Sequence, residues 1–89
     1  MPDNLDVRRK RAGFRANHRG TKEMDWLLGK YADATLAGMD DTHLLEFERF
    51  ISISDPDLQK WLISPELCAN TEFSGLIRRI REFHRLGQQ

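Results

Sequence analysis

Five apolar residues near the end of the chain, Phe73, Leu76, Ile77, Ile80 and Phe83, recur at intervals of three and four, which places them on one side of an α-helix. Arg78, Arg81, Glu82 and Arg85 fall on the far side. A helix divided this way is marginal alone in water, so other elements must cover its apolar stripe. Those elements are helices too, because no stretch alternates like a strand and no hairpin dipeptide occurs. The fold class expected is all-α, a small five-helix bundle. With 89 residues the chain is one domain, residues 1–89, with a thin core.

Taken in order, Asn4 caps a first helix from Leu5 to His18. Its apolar face is poor: Leu5 pairs with Ala12 and Val7 with Phe14 at seven-residue spacing, and Gly13 costs about 1 kcal/mol relative to alanine. Fraying is expected over residues 1–7, leaving the arginines of this helix available. Gly20 suits the left-handed backbone that closes a helix, and Thr21 caps the next one, Lys22 to Leu36. There Met24, Leu27, Leu28, Tyr31 and Thr35 share a stripe. Trp26 lies nearly opposite, either covering a neighbouring helix or serving as an exposed anchor, with partial burial expected. Gly38 ends this helix, with Met39 folding back.

Asp40 or Asp41 caps a third helix, Asp41 to Ser52, which buries Leu44, Phe47, Phe50 and Ile51 and leaves Glu46, Glu48 and Arg49 on a solvated face. Ser54-Asp55-Pro56-Asp57 is the clearest start signal: Asp55 as N-cap, Pro56 at the first helical position, Asp57 in the first turn. Leu58, Trp61 and Leu62 follow, Leu58 and Trp61 pointing one way into the core, and the helix ends before Pro65. Asn70 or Thr71 opens the last helix, and the tail from Leu86 to Gln89 is expected to be disordered.

A composition of 39% hydrophobic and 31% charged residues is that of a soluble globular chain, without the roughly 18-residue apolar run a membrane span requires. The N-terminus is Arg-rich like a mitochondrial presequence, but Asp3 and Asp6 argue against one. The single Cys68 makes no internal disulfide, which fits a reducing compartment, and a cytoplasmic monomer is expected. His18, His43 and His84 lack metal-site spacing, no glycine-rich phosphate loop occurs, and no residue has a nucleophile context. The chain therefore reads as a non-enzyme with no tightly bound cofactor and no metal.

Charge is balanced overall but unevenly placed. Residues 1–22 carry Arg8, Arg9, Lys10, Arg11, Arg15, Arg19 and Lys22 against Asp3 and Asp6, whereas residues 23–72 hold eleven acids against Lys30, Arg49 and Lys60. Either the basic ends fold toward the acidic middle, or a basic face is offered to an acidic partner. Arg19 and Glu23 flank Gly20 on two converging backbones. That corner is either a docking point or a turn bearing two solvated charges. Two interaction readings follow: a helical nucleic-acid-binding module using Arg8 to Arg11 and the basic last helix, or a protein-binding module using the Gly20 corner.

Arg19-Gly20-x-x-Glu23, followed by Asp55-Pro56-Asp57-Leu58-x-x-Trp61-Leu62, resembles the succinate dehydrogenase assembly factor family, the small flavinylation factors of bacteria and mitochondria. The resemblance spans about Arg8 to Phe83. It implies a helper that binds the flavoprotein subunit of succinate dehydrogenase, with fumarate reductase as a further client. Such a helper promotes covalent attachment of FAD to a histidine of that subunit, the FAD being the client's cofactor. It further implies a partner-binding set of Arg11, Arg15, Arg19, Gly20, Glu23, Asp55, Pro56, Asp57 and Trp61, with Arg19, Gly20 and Glu23 docking near the client's flavin site. Ala12 and Gly13 stand where that family's first helix has bulky apolar residues, and Asn17 where it has a larger one, so the packing of the first helix is expected to differ.

Overall fold

A computed structural model describes residues 4–85, in which the five expected helices are present: α1 (Leu5–Asn17), α2 (Lys22–Thr35), α3 (Asp41–Ile51), α4 (Asp55–Ile63) and α5 (Ser74–His84). Short 3₁₀ turns, Leu36–Gly38 and Pro65–Cys68, follow α2 and α4. Among the described residues there is no strand, and no helix is long and apolar enough to cross a membrane. The expectations for residues 1–3 and 86–89 lie outside the described residues. Leu5, Val7 and the residue between them, expected to fray, are helical behind the Asn4 side chain, which accepts from Val7 N at 2.8 Å.

The core is built from the stripes that periodicity marks. Met24, Leu27, Leu28 and Tyr31 of α2, Leu44, Phe47, Phe50 and Ile51 of α3, Leu58 and Leu62 of α4, and Leu76, Ile77 and Ile80 of α5 are all buried. Phe73 and Met39 close it from the loops, and Trp61 packs partly against it, its ring 6.4 Å from that of Phe73. Phe83 departs from expectation. It is 43% exposed and meets the core through an edge-on contact with Tyr31.

α1 has little apolar side chain to offer and packs through smallness. Ala12 and Ala16 are buried, as are Gly29 and Ala32 of α2, so the two backbones approach closely. A Cβ added at Gly29 would lie 2.3 Å from Asn17 Oδ1, which shows how tight the crossing is. Asn17 spans it by donating to the Gly13 carbonyl at 2.8 Å and to Asp33 at 3.3 Å. Charged ties then fasten α1 to α3: Arg8 donates to both carboxylate oxygens of Glu48, at 3.3 and 2.6 Å, and to Asp41. Such forked contacts are the strong form of ion pair, and Glu48 first, then Asp41, hold the guanidinium's pKa above the usual arginine range.

These ties correct several expectations. The arginines of the first helix are engaged rather than idle, with Arg9 bonded to Asp6 and the Met39 carbonyl and Arg15 to Ser52 Oγ. The outer residues of α3 are paired as well, Glu48 with Arg8, Glu46 with Arg79 and Arg49 with Glu72. On α5, Arg81 does not point away but folds back to the Leu62 carbonyl, satisfying the C-terminal end of α4. Finally, α5 begins at Ser74 rather than at Asn70 or Thr71, because Thr71 Oγ1 is used in a local turn with Cys68 and Phe73 N.

Candidate functional site

Four residues join α1 to α2, and their conformation is fixed from three directions. α1 stops at Asn17, with His18 as its cap, two residues before Gly20. Gly20 is therefore not the helix-closing residue expected; it makes the corner itself, with φ of 125°, where an L side chain strains the backbone. A Cβ placed there would meet only Asp55 Oδ2 at 3.7 Å, so it is backbone conformation and not space that calls for glycine. Thr21 then caps α2 as expected, accepting from Met24 N at 3.2 Å. From the first turn of α2, Asp25 accepts from the Arg19 backbone N–H, tying the loop down from the other side.

The side chain of Arg19 turns under the corner instead of outward. Its Nε donates to Asp55 Oδ1 at 2.8 Å, and its terminal nitrogens donate to the backbone carbonyls of Ile51 and Ile53, the latter at 3.0 Å. Only 11% of this side chain is exposed, against 22% for Asp55. One guanidinium thus satisfies the end of α3, the loop after it and the start of α4. This explains why the N-cap of α4 is Ser54 and not Asp55: Asp55 is already helical, and its carboxylate is aimed at Arg19 rather than at its own helix's amides. Pro56 and Asp57 are exposed beside it, Asp57 accepting from Ser54 Oγ at 3.0 Å.

The two sequence segments, 36 residues apart, thus meet at one place. Arg19, Gly20 and Asp55 form a single unit. Glu23 is not part of it: no hydrogen bond or ion pair among the described residues holds its carboxylate, which is exposed in the first turn of α2, where the helix dipole favours a negative charge. Arg11 and Arg15 are exposed on α1, and Trp61 is half-buried on α4 as packing rather than as part of the corner.

Sequence reasoning missed two contacts near this region. His84 Nε2 donates to the Leu27 carbonyl at 2.7 Å and its ring leans on Trp26 at 4.4 Å, so Trp26 covers the neighbouring helix while remaining 48% exposed. Phe14, 65% exposed, stacks on His18 at 4.0 Å. An aromatic four residues before a histidine on a helix is the one local signal that could have found the second pair. Among the described residues no cluster of His, Cys, Asp and Glu could hold a metal ion. Cys68 is buried, its Sγ 2.9 Å from Thr71 Oγ1.

Residues 10–84 match the model of the Sdh5 family, described as flavinator of succinate dehydrogenase. The chain is 37% identical over 84 residues to the FAD assembly factor SdhE of Acetobacter pasteurianus, covering 94% of this chain and 77% of that protein. It is 32% identical over 65 residues to the FAD assembly factor SdhE of Xylella fastidiosa (strain 9a5c), covering 73% and 67% of the two. Against the mitochondrial succinate dehydrogenase assembly factor 2 of Arabidopsis thaliana it is 28% identical over 72 residues, spanning 75% of this chain and 38% of that longer protein. No solved structure matches.

Proposed function

The chain belongs to the Sdh5 family of succinate dehydrogenase flavinators, and from that premise we propose that it binds the flavoprotein subunit of succinate dehydrogenase and promotes covalent FAD attachment there. The bond-forming chemistry belongs to the client, and so does the FAD. A small binder accelerates such a step by stabilising the client conformation in which the histidine and the flavin are aligned. The factor acts in the compartment where the client folds, as a monomer in the cytoplasm of a bacterial-type cell.

One observation carries the assignment of roles within the corner: Arg19 is consumed by Asp55 and two carbonyls, while Glu23 is exposed and has no partner among the described residues. Arg19 and Asp55 set the shape, Gly20 lets a partner's backbone come close, and Glu23 supplies the carboxylate that the client grips. Arg11 and Arg15 add positive charge toward acidic client groups. The nucleic-acid reading is weakened by the same structure, since Arg8 and Arg9, which it needs for phosphates, are bound to carboxylates.

The test uses purified flavoprotein subunit lacking covalent flavin, incubated with FAD with and without this protein and read by in-gel flavin fluorescence. Faster or fuller labelling in its presence is expected. Equal labelling in both arms would overturn the assignment. Gly20→Ala should weaken the effect through strain of about 1–3 kcal/mol at the corner, without a packing clash.

A further inference from the structure

The outward face of α1 presents two apolar side chains to solvent. Val7 and Phe14, a heptad apart and therefore on one line, are 43% and 65% exposed, directly opposite the buried Ala12 and Ala16. Around them the line carries Lys10, Arg11 and His18, and from Val7 through Lys22 the sequence contains no acidic residue. Lys10 and Lys22 make no ion pair among the described residues and are exposed. An exposed phenylalanine normally loses side-chain freedom when a partner covers it. Here that loss is partly taken in advance, because the Phe14 ring lies flat on His18 at 4.0 Å with 21° between planes, and His18 Nδ1 is anchored to the Phe14 carbonyl at 2.7 Å. An ordered, exposed aromatic ring flanked on its helix by Lys10 and Arg11 has the makeup of an interface anchor with a steering rim.

We propose that this stripe is a second contact with the client flavoprotein subunit, resting on the function assigned above, and that it takes an acidic surface containing an apolar recess into which Phe14 inserts. The choice of occupant follows from charge. A second copy of this chain would set cation against cation along the same line, and an apolar partner would leave Lys10 desolvated without a counter-charge. The stripe ends at His18, two residues before Gly20, so the two contacts adjoin along the chain. The corner grips with Glu23, and the stripe supplies the apolar anchor the corner lacks.

The experiment measures binding of purified flavoprotein subunit lacking covalent flavin to the wild-type protein, to Phe14→Ala and to Leu45→Ala, with flavin incorporation followed in parallel. Leu45 is a comparably exposed apolar residue on α3, 48% exposed, and serves as the control. Phe14→Ala is expected to bind about tenfold or more weakly, with an unchanged far-ultraviolet circular dichroism spectrum, while Leu45→Ala binds as wild type. Lys10→Glu should weaken binding more at low salt than at high salt. Wild-type affinity in Phe14→Ala, together with normal wild-type flavin incorporation, overturns the stripe and leaves the assembly function standing. Failure of the wild type to bind the subunit at all overturns both. Self-association of the wild type that Phe14→Ala abolishes, or binding of duplex DNA that Phe14→Ala weakens in its place, also overturns the proposal.

Discussion

At the scale of single residues, the molecule separates arginines that build from a carboxylate that reaches out. Arg19 is the strongest case of the first kind. Replacing it with alanine leaves the Asp55 carboxylate half-buried and the carbonyls of Ile51 and Ile53 without their donor. Hydrogen bonds from a charged group contribute roughly 1.5–3 kcal/mol, so Arg19→Ala should cost ~2–4 kcal/mol and lower Tm by about 10–20 °C in a thermal melt. A shift below a degree or two would show that the bonds under the corner contribute nothing. Asp40 offers a test with a pH axis. The His43 backbone N–H first, and the His43 ring second, hold its carboxyl below the usual carboxylate range. A carboxyl whose folded pKa is depressed stabilises the fold above its unfolded value, about 3.9, and that contribution disappears as pH falls through the folded value. Asn caps a helix nearly as well as Asp but does not titrate. Urea midpoints followed from pH 7 downward should therefore fall less steeply below about pH 4 in Asp40→Asn than in the wild type. Superimposable curves would contradict the linkage.

Elements were legible in proportion to how much of their packing is apolar and local. The stripes of α2, α3 and α5 name their own buried residues, because three- and four-residue spacing is all that a core-facing helix needs. α1 was not legible in that way. Its buried face is Ala12 and Ala16, and its charged anchor is Arg8 to Glu48, 40 residues away, a pairing that no local pattern encodes. For the same reason Asp55 was misread as a cap: local rules describe what a carboxylate does for its own helix, not what an arginine on another element takes from it. The α1–α2 crossing makes opposite predictions for two glycines. At Gly13 an added Cβ lies 3.3 Å from Leu36 Cδ1, the tip of a side chain bordering an open groove of about 510 Å³, so Leu36 can move aside. Gly13→Ala should stabilise by about 0.5–1 kcal/mol through helix propensity. Gly29→Ala should destabilise by about 1–3 kcal/mol, since Asn17 and the α1 backbone must retreat from the new methyl. Thermal unfolding of both variants checks this, and shifts of the same sign would mean that the crossing is not as close as described.

Taken whole, the molecule closes its basic ends onto its acidic middle, through Arg8 with Asp41 and Glu48, Arg19 with Asp55, and Arg79 with Glu46. The charge blocks in the sequence left that closure as one of two readings, and did not show which cations would be left over for a partner. The same holds for the candidate site: the residues of the corner could be named from their motifs, whereas their division of labour depends on the direction in which Arg19 turns, which only the packed structure reveals. The proposed function rests on Glu23, the exposed carboxylate beside a corner that Arg19, Gly20 and Asp55 hold in shape. The most direct measurement is in-gel flavin fluorescence of the succinate dehydrogenase flavoprotein subunit co-expressed with Glu23→Ala, with thermal unfolding of the purified variant alongside. Much weaker flavin fluorescence is predicted, with Tm within about 4 °C of wild type, as expected for an exposed residue outside the core. Full flavin incorporation by Glu23→Ala would contradict it.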